Sequence, residues 1–275
     1  MRNSNLSYQS QRGATLIVVL FMLLLITIMG IVGIRVAMTS LNIATNSQVG
    51  QLLLQTGDTP TNQFLNVSNY NDLIVLSGAI GKAIEEHKVA PGKEVIFCYK
   101  PTASQKMGVA FDTTVLVAPI KGADADTKAT IDSTQSNRSG FCNLESDFGS
   151  ARQAVVTQVA VRIPTNEISD ADPGSTLARD TDVSLQSNTS KGKVEARVRI
   201  TSTAIMPAYS TESLTTVQND CIGSASAVGY INDNIDDAVA GKRTVADCLR
   251  SYGIPVNTQV QEIDLRKRDI QVTAP

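Results

Sequence analysis

From Ala14 to Ile34 the chain reads ATLIVVLFMLLLITIMGIVGI, an unbroken run without a charge. About 20 such residues cover a hydrocarbon core, and a soluble helix of this length would show a polar stripe, which is missing here. Beyond it Met38, Leu41, Thr45, Val49 and Leu52 recur at helical spacing. This predicts one helix from Ala14 to about Gln55, a rod of roughly 63 Å at ~1.5 Å per residue. Its first half is lipid-compatible, and its second half is amphipathic enough to pack on a soluble head. Gly57-Asp58-Thr59-Pro60 reads as the stop.

The patterning then changes. Leu73, Leu76, Ile80 and Ile84 predict a short helix within Asn71 to Lys88, weakened by Gly78 and Gly81. Strand signals follow at Glu94 to Tyr99, Val109 to Ile120, Ala154 to Ile163, Lys193 to Met206 and Val260 to Val272. The clearest lies where Val194, Ala196, Val198 and Ile200 alternate with Glu195, Arg197, Arg199 and Thr201, the pattern of a half-buried antiparallel strand. The polar stretches Lys121 to Gly140, with Asp124, Asp126, Asp132 and Asn137, and Asn166 to Lys191, with Pro173-Gly174, read as long surface loops. The fold class is therefore α+β: a long N-terminal apolar α-helix packed on an antiparallel β-sheet head.

Charge sharpens this division. Up to Gly57 the chain holds only Arg2, Arg12 and Arg35, and the first acid is Asp58. Removing those three from the 24 Lys and Arg leaves 21 against 26 acids, so the remainder is net −5 and makes no general electrostatic case for nucleic acid. Arg2, Arg12 and the terminal amine precede the apolar run, and only Arg35 follows it closely. That bias predicts a cytoplasmic N-terminus and a translocated head. A cleaved secretory signal is disfavoured, because its apolar core is shorter and ends at an A-x-A-like site.

Gln11-Arg12-Gly13 followed by Ala14-Thr15-Leu16-Ile17-Val18 resembles the class III signal of type IV prepilins, and the RGATLIVVL start and head length are most similar to PilX-type minor pilins. The stretch from Cys248, CLRSYGIPVNTQVQE, is also similar to a PilX-type C-terminus. The resemblance implies a leader of residues 1–13 and an N-terminal helix of residues 14–57, apolar over 14–34. A head of residues 58–275 follows, periplasmic and then extracellular. It implies that prepilin peptidase cuts between Gly13 and Ala14 and that the new amine is methylated, making Arg12, Gly13 and Ala14 the processing residues. Glycine before the cut lets another backbone approach. Two positions depart from the major-pilin pattern: Ala14 stands where Phe is usual, and Val18 where the family has a glutamate that pairs with a neighbouring amine. Some minor pilins also lack that glutamate, so the departure implies a subunit at or near the filament tip. No Pro interrupts this region, leaving Gly30 and Gly33 as its weak points, each costing about 1 kcal/mol against Ala.

Cys98, Cys142, Cys221 and Cys248 all lie in the head, and an even set in a translocated domain suggests two disulfides. Three pairings are open; the local one is Cys98–Cys142 with Cys221–Cys248. Zinc is disfavoured, because no C-x2-C spacing exists and His87 is the one histidine. His87, in a charged run, reads as a solvated surface side chain. Asp233, Asn234, Asp236 and Asp237 offer oxygens for calcium but miss the EF-hand spacing, so a solvated acidic turn is the plainer reading. Arg266-Lys267-Arg268 reads as an edge gatekeeper rather than a DNA contact.

No nucleophile, metal or phosphate-loop motif is present. The expectation is a non-enzyme without cofactor or small-molecule substrate: a minor pilin, anchored in the inner membrane and then carried on the surface pilus, that helps start filament assembly. The implied partners are other minor and major pilins through the N-terminal helix, the inner membrane, prepilin peptidase and a tip adhesin, with DNA left open. A second reading gives the long loops a binding role as a tip adhesin or DNA receptor. A third is a signal-anchored periplasmic protein.

Overall fold

The computed structural model describes residues 12–65, 78–103, 112–132, 137–166 and 194–266. The chain forms two compact units that divide between Gly50 and Gln51. Helix α1 (Arg12–Leu65) contributes to both.

In the N-terminal unit the apolar side chains stand exposed on every side of α1, from Leu16 at 70% through Leu24 at 48% to Ile34 at 58%. The hydroxyls of Thr27, Thr39 and Thr45 donate back to the carbonyls of Leu24, Arg35 and Leu41 at 2.8–2.9 Å, so these three hydroxyls are satisfied within the helix. Among the described residues this is the one helix long and apolar enough to cross a membrane.

In the head unit, α1 does not stop at Gly57-Asp58-Thr59-Pro60 but continues through them to Leu65. Pro60 removes one backbone bond, which alone would cost roughly 3 kcal/mol. Packing outweighs it, because Leu53, Gly57, Pro60, Thr61 and Phe64 form a buried stripe at helical spacing. The hydroxyl of Thr59 also donates to Gln55 O at 2.8 Å. This stripe lies one residue off the expected one: Met38 and Leu41 are exposed, and Leu52 remains 39% exposed. Gly57 is a point of close approach rather than a breaker. A Cβ there would stand 3.2 Å from Gln259 Cγ and 3.8 Å from the Ala204 methyl. Further along the stripe, the Phe64 ring meets Phe97 edge-on at 6.3 Å.

Helix α2 (Ala79–Val89) buries Ala79, Ile80, Ala83 and Glu86 and ends with His87 and Lys88, of which the Lys88 ammonium suits a helix C-terminus. Residues 71–77, where the same helix was expected to begin, lie outside the described residues. The strands are β1 (Lys93–Tyr99), β2 (Thr114–Val117), β3 (Thr130–Ile131), β4 (Val156–Arg162), β5 (Val194–Ile205) and β6 (Val256–Arg266). Among the described residues they form one six-stranded sheet, ordered β3-β2-β1-β4-β5-β6, with every adjacent pair antiparallel. The architecture is α+β, with a long N-terminal apolar helix and an antiparallel sheet.

The sheet is covered on both faces. Phe64 and the α2 residues pack with Val95, Phe97, Val115, Val159, Val161, Val198 and Ile200 on one side. The segment from Pro207 to Ile254 covers the other, where Val217, Ile222, Ile231, Val245 and Leu249 pack on Ile96, Leu116, Val156, Ala160 and Ile205. That second cover contains two short helices, α3 (Leu214–Val217) and α4 (Val245–Ser251), which periodicity did not reveal because such short segments do not show a period. The start of α4 is nonetheless written locally. Thr244 and Asp247 form a reciprocal capping box, with 2.7 Å between the Thr244 hydroxyl and the Asp247 carboxylate.

This double cover corrects the expectation of a half-buried β5, since Val198 and Arg199 to Met206 are all buried. Among the other strand readings, β1 and β4 fall on predicted runs, β6 overlaps Val260 to Val272 but begins earlier, at Val256, and β2 occupies only Thr114–Val117 of the run Val109 to Ile120. The short β3 was not foreseen inside its polar loop. Residues 109–111, 167–193 and 267–272 lie outside the described residues.

Candidate processing segment and buried charge row

Arg12 opens α1, with Gly13 and Ala14 as its next two residues, so the three positions expected to be processed lie in sequence at the head of the apolar rod. Val18, one turn further, is 59% exposed. An apolar side chain there needs no partner charge, whereas an unpaired carboxylate among apolar neighbours would be costly. Small residues line one flank of the same helix. Gly30, Gly33, Ala37, Ser40, Ala44 and Ser47 follow each other at spacings of three and four, all exposed. A Cβ at Gly30 or Gly33 would meet nothing within 4 Å.

In the head the cysteines pair locally. Cys98–Cys142 spans 44 positions with Cα atoms 4.8 Å apart, and Cys221–Cys248 spans 27 with Cα atoms 5.4 Å apart. The first ties β1 to the loop before β4. The second ties the turn at Gln218–Ile222 to α4. Immediately after that turn Gly223 takes φ 114° and lies against the Phe141 ring, which a Cβ would meet at 2.5–2.9 Å. Asp220 stands beside this second bridge but is already engaged: Lys128 Nζ lies 2.7 Å away, and the Tyr252 hydroxyl donates to it at 3.0 Å. Those bonds, led by the Lys128 hydrogen bond, hold its carboxyl below the usual range. With both sulfurs joined there is no thiolate for a metal at this place.

The largest feature that periodicity missed is a charged row across four strands. Register places Glu94 opposite Arg162, Arg162 opposite Arg199, and Arg199 opposite Glu262. Two arginines directly opposed on one face repel each other. Asp233 resolves the conflict by lying 3.4 Å from Arg162 Nη1 and 3.2 Å from Arg199 Nη1. Asp236 accepts from Arg199 at 2.7 Å and from the backbone N–H and hydroxyl of Thr165 at 3.2 and 3.1 Å. Glu262 takes the other edge of the Arg199 guanidinium at 2.7 and 2.9 Å. Asn232 donates twice to Glu94, at 3.1 and 3.0 Å, and accepts from Gln158 at 2.8 Å.

Asp233 and Asp236 are therefore neither solvated nor placed to hold calcium, at 5% and 1% exposure. The acidic turn folds inward because the arginines beneath it need counter-charge. Asn234 instead donates to Lys242 O at 2.7 Å, and Asp237 is exposed, its N–H bonded to Asn166 at 3.0 Å. His87 is likewise not a solvated side chain. It is half-buried, its Nδ1 is shut from solvent without a partner, and desolvation lowers its pKa despite the opposing charge of Asp236. Arg266 ends β6, while Lys267 and Arg268 lie outside the described residues.

The row has a definite pH signature. Burial alone would raise the Asp236 carboxyl, but the Arg199 hydrogen bond and the charges of both arginines hold it below its ordinary value. A depressed carboxyl contributes stability above the unfolded value and loses it as pH falls through the folded value. Asp220 and Asp247 act in the same direction. Glu94 opposes them only above its ordinary value, because burial raises its pKa. Below about pH 4 that contribution is saturated while the aspartates lose theirs, so the thermal unfolding midpoint should fall on acidification there. Circular dichroism between about pH 2 and 5 reads this, and a midpoint rising toward the acid end would contradict it.

No protein-family model, no curated protein and no solved structure matches this chain.

Proposed function

We propose that this chain is a PilX-type minor pilin, made in the inner membrane as a prepilin, cut after Gly13 and incorporated at or near the tip of a type IV pilus, where it helps start filament assembly. The observation that carries the reading is Arg12-Gly13 set directly before the charge-free run from Ala14 to Ile34, all within one helix whose apolar side chains stand open on every side. Such a rod is stable only in lipid or among other apolar helices. The small-residue flank from Gly30 to Ser47 supports helix-on-helix packing, because small side chains let backbones come close. Val18 supports a position where no charge pairing is needed.

The orientation puts the head in the periplasm, following the positive charge before the run, and an oxidising compartment suits its two bridges. In this reading the chemistry is done to the chain and not by it: the Gly13–Ala14 peptide bond is the substrate of prepilin peptidase, and the Ala14 amine is the methyl acceptor. Mass spectrometry of the mature N-terminus tests it. The expected product begins at methylated Ala14, and Gly13→Arg should leave the leader attached. A mature chain beginning near Thr45, or one still beginning at Met1 with the peptidase active, overturns the proposal.

A further inference from the structure

The C-terminal half of α2, the first residue of β1 and the residue after β3 bring Glu86, Lys93 and Asp132 together. Lys93 Nζ lies 2.8 Å from Glu86 Oε2 and in contact with Asp132 Oδ2. The three side chains are 7%, 7% and 8% exposed. Burial works against the Lys93 ammonium, and the hydrogen bonds of Asp132 and Glu86 more than offset it. Proton transfer within the trio, from the ammonium to a carboxylate, leaves an amine and a carboxylic acid in contact. Asp132 is held for this role, since its backbone N–H donates to Val115 O at 3.1 Å.

We propose that Lys93 Nζ and Asp132 Cγ condense into an intramolecular amide, with Glu86 carrying the proton. Glu86 relays one proton from the Nζ ammonium to Asp132, and the freed lone pair attacks Cγ of that carboxyl. Glu86 then relays a second Nζ proton to the departing hydroxyl, so Nζ keeps one proton as the amide N–H and Glu86 ends as the carboxylate it began as. The N–C bond forms, one C–O bond breaks, and one water leaves. Nothing is oxidised or reduced and no further reactant enters. The product replaces an ion pair that is costly to bury with a neutral amide, and exclusion of water from the site protects it against hydrolysis. The link would join the start of β1 to the end of β3, which among the described residues is the shortest strand and lies at the sheet's edge. Like the two disulfides it is a covalent staple, but one that reductant does not open.

Mass spectrometry of the full chain, purified in detergent and reduced, tests the proposal. The expected mass is about 18 Da below the sequence value, with the peptide around Lys93 joined to that around Asp132 and no tryptic cut after Lys93. Lys93→Arg and Asp132→Ala should each restore the full mass, and Glu86→Gln should raise the unlinked fraction several-fold. Separate, unmodified Lys93 and Asp132 peptides from the wild-type chain overturn it, a result that needs no variant to fold. A link mapped to Glu86, or a water loss that persists in Lys93→Arg, overturns it as well. None of these outcomes bears on whether the leader is cut after Gly13.

Discussion

Arg199→Ala should cost the head about 3–5 kcal/mol, the usual consequence of removing one partner from a buried ion pair. Arg199 is 2% exposed and binds Asp233, Asp236 and Glu262 at once. Its loss leaves Asp236 with only the Thr165 donors and leaves Asp233 to Arg162 alone among the arginines of the row. Arg199→Lys should recover only part of the loss, because one ammonium cannot reproduce the planar fork that meets Glu262 on one edge and the aspartates on the other. Arg197→Ala is the control. Arg197 sits two positions away on the same strand, its side chain is 33% exposed, and its 3.6 Å contact with Glu262 should be worth less than about 1 kcal/mol. Chemical unfolding monitored by circular dichroism separates these cases. Equal losses for Arg197→Ala and Arg199→Ala would show that the row is not an energetic unit. The acid sensitivity described above should also weaken in Arg199→Ala, since Asp236 loses the hydrogen bond and charge of Arg199 and keeps only the more distant charge of Arg162 to depress its pKa.

Removing the Cys98–Cys142 bridge as a double serine variant should cost about 4 kcal/mol, and removing Cys221–Cys248 about 3.5 kcal/mol, by the loop-entropy relation for separations of 44 and 27. The order follows from the longer loop constrained by the first bridge. Burial adds to both, because Cys142, Cys221 and Cys248 are fully buried and a serine hydroxyl there would need a hydrogen-bond partner. Unfolding midpoints of the two variants, with and without reductant, read the difference. Reductant should change neither double variant at the bridge it lacks, while the wild-type chain should lose the sum. A wild-type midpoint indifferent to reductant under unfolding conditions would refute the assignment.

The parts of the fold legible in the chain are those in which neighbouring residues carry the information. The run from Ala14 to Ile34 needs no tertiary contact to be read as lipid-compatible, and β1, β4 and β5 announce themselves by β-branched and alternating residues. The pairing of cysteines close along the chain is likewise the one adopted, because each lies within reach of its local partner. Other readings failed where a distant segment reverses a local preference. Gly57 and Pro60 oppose a helix locally, yet the sheet beneath them rewards one with a buried stripe ending at Phe64. Arg199 and Thr201 look like the wet side of a strand until the segment from Pro207 to Ile254 covers them. Asp233 and Asp236 look solvated until Arg162 and Arg199, on strands far back along the chain, require them as counter-ions.

Along this chain, hydrophobic run length, charge placement and cysteine parity by themselves determined an apolar N-terminal rod, a bridged polar head and the α+β class. These properties depend on residues near one another, and solvent sorts them without knowing the fold. Only the tertiary structure decided where α1 ends, which face of each strand is wet, and that Glu94, Arg162, Arg199 and Glu262 form one row. Register across a sheet is set by packing between segments far apart in sequence, and a buried charge takes its partner from whichever segment that packing delivers.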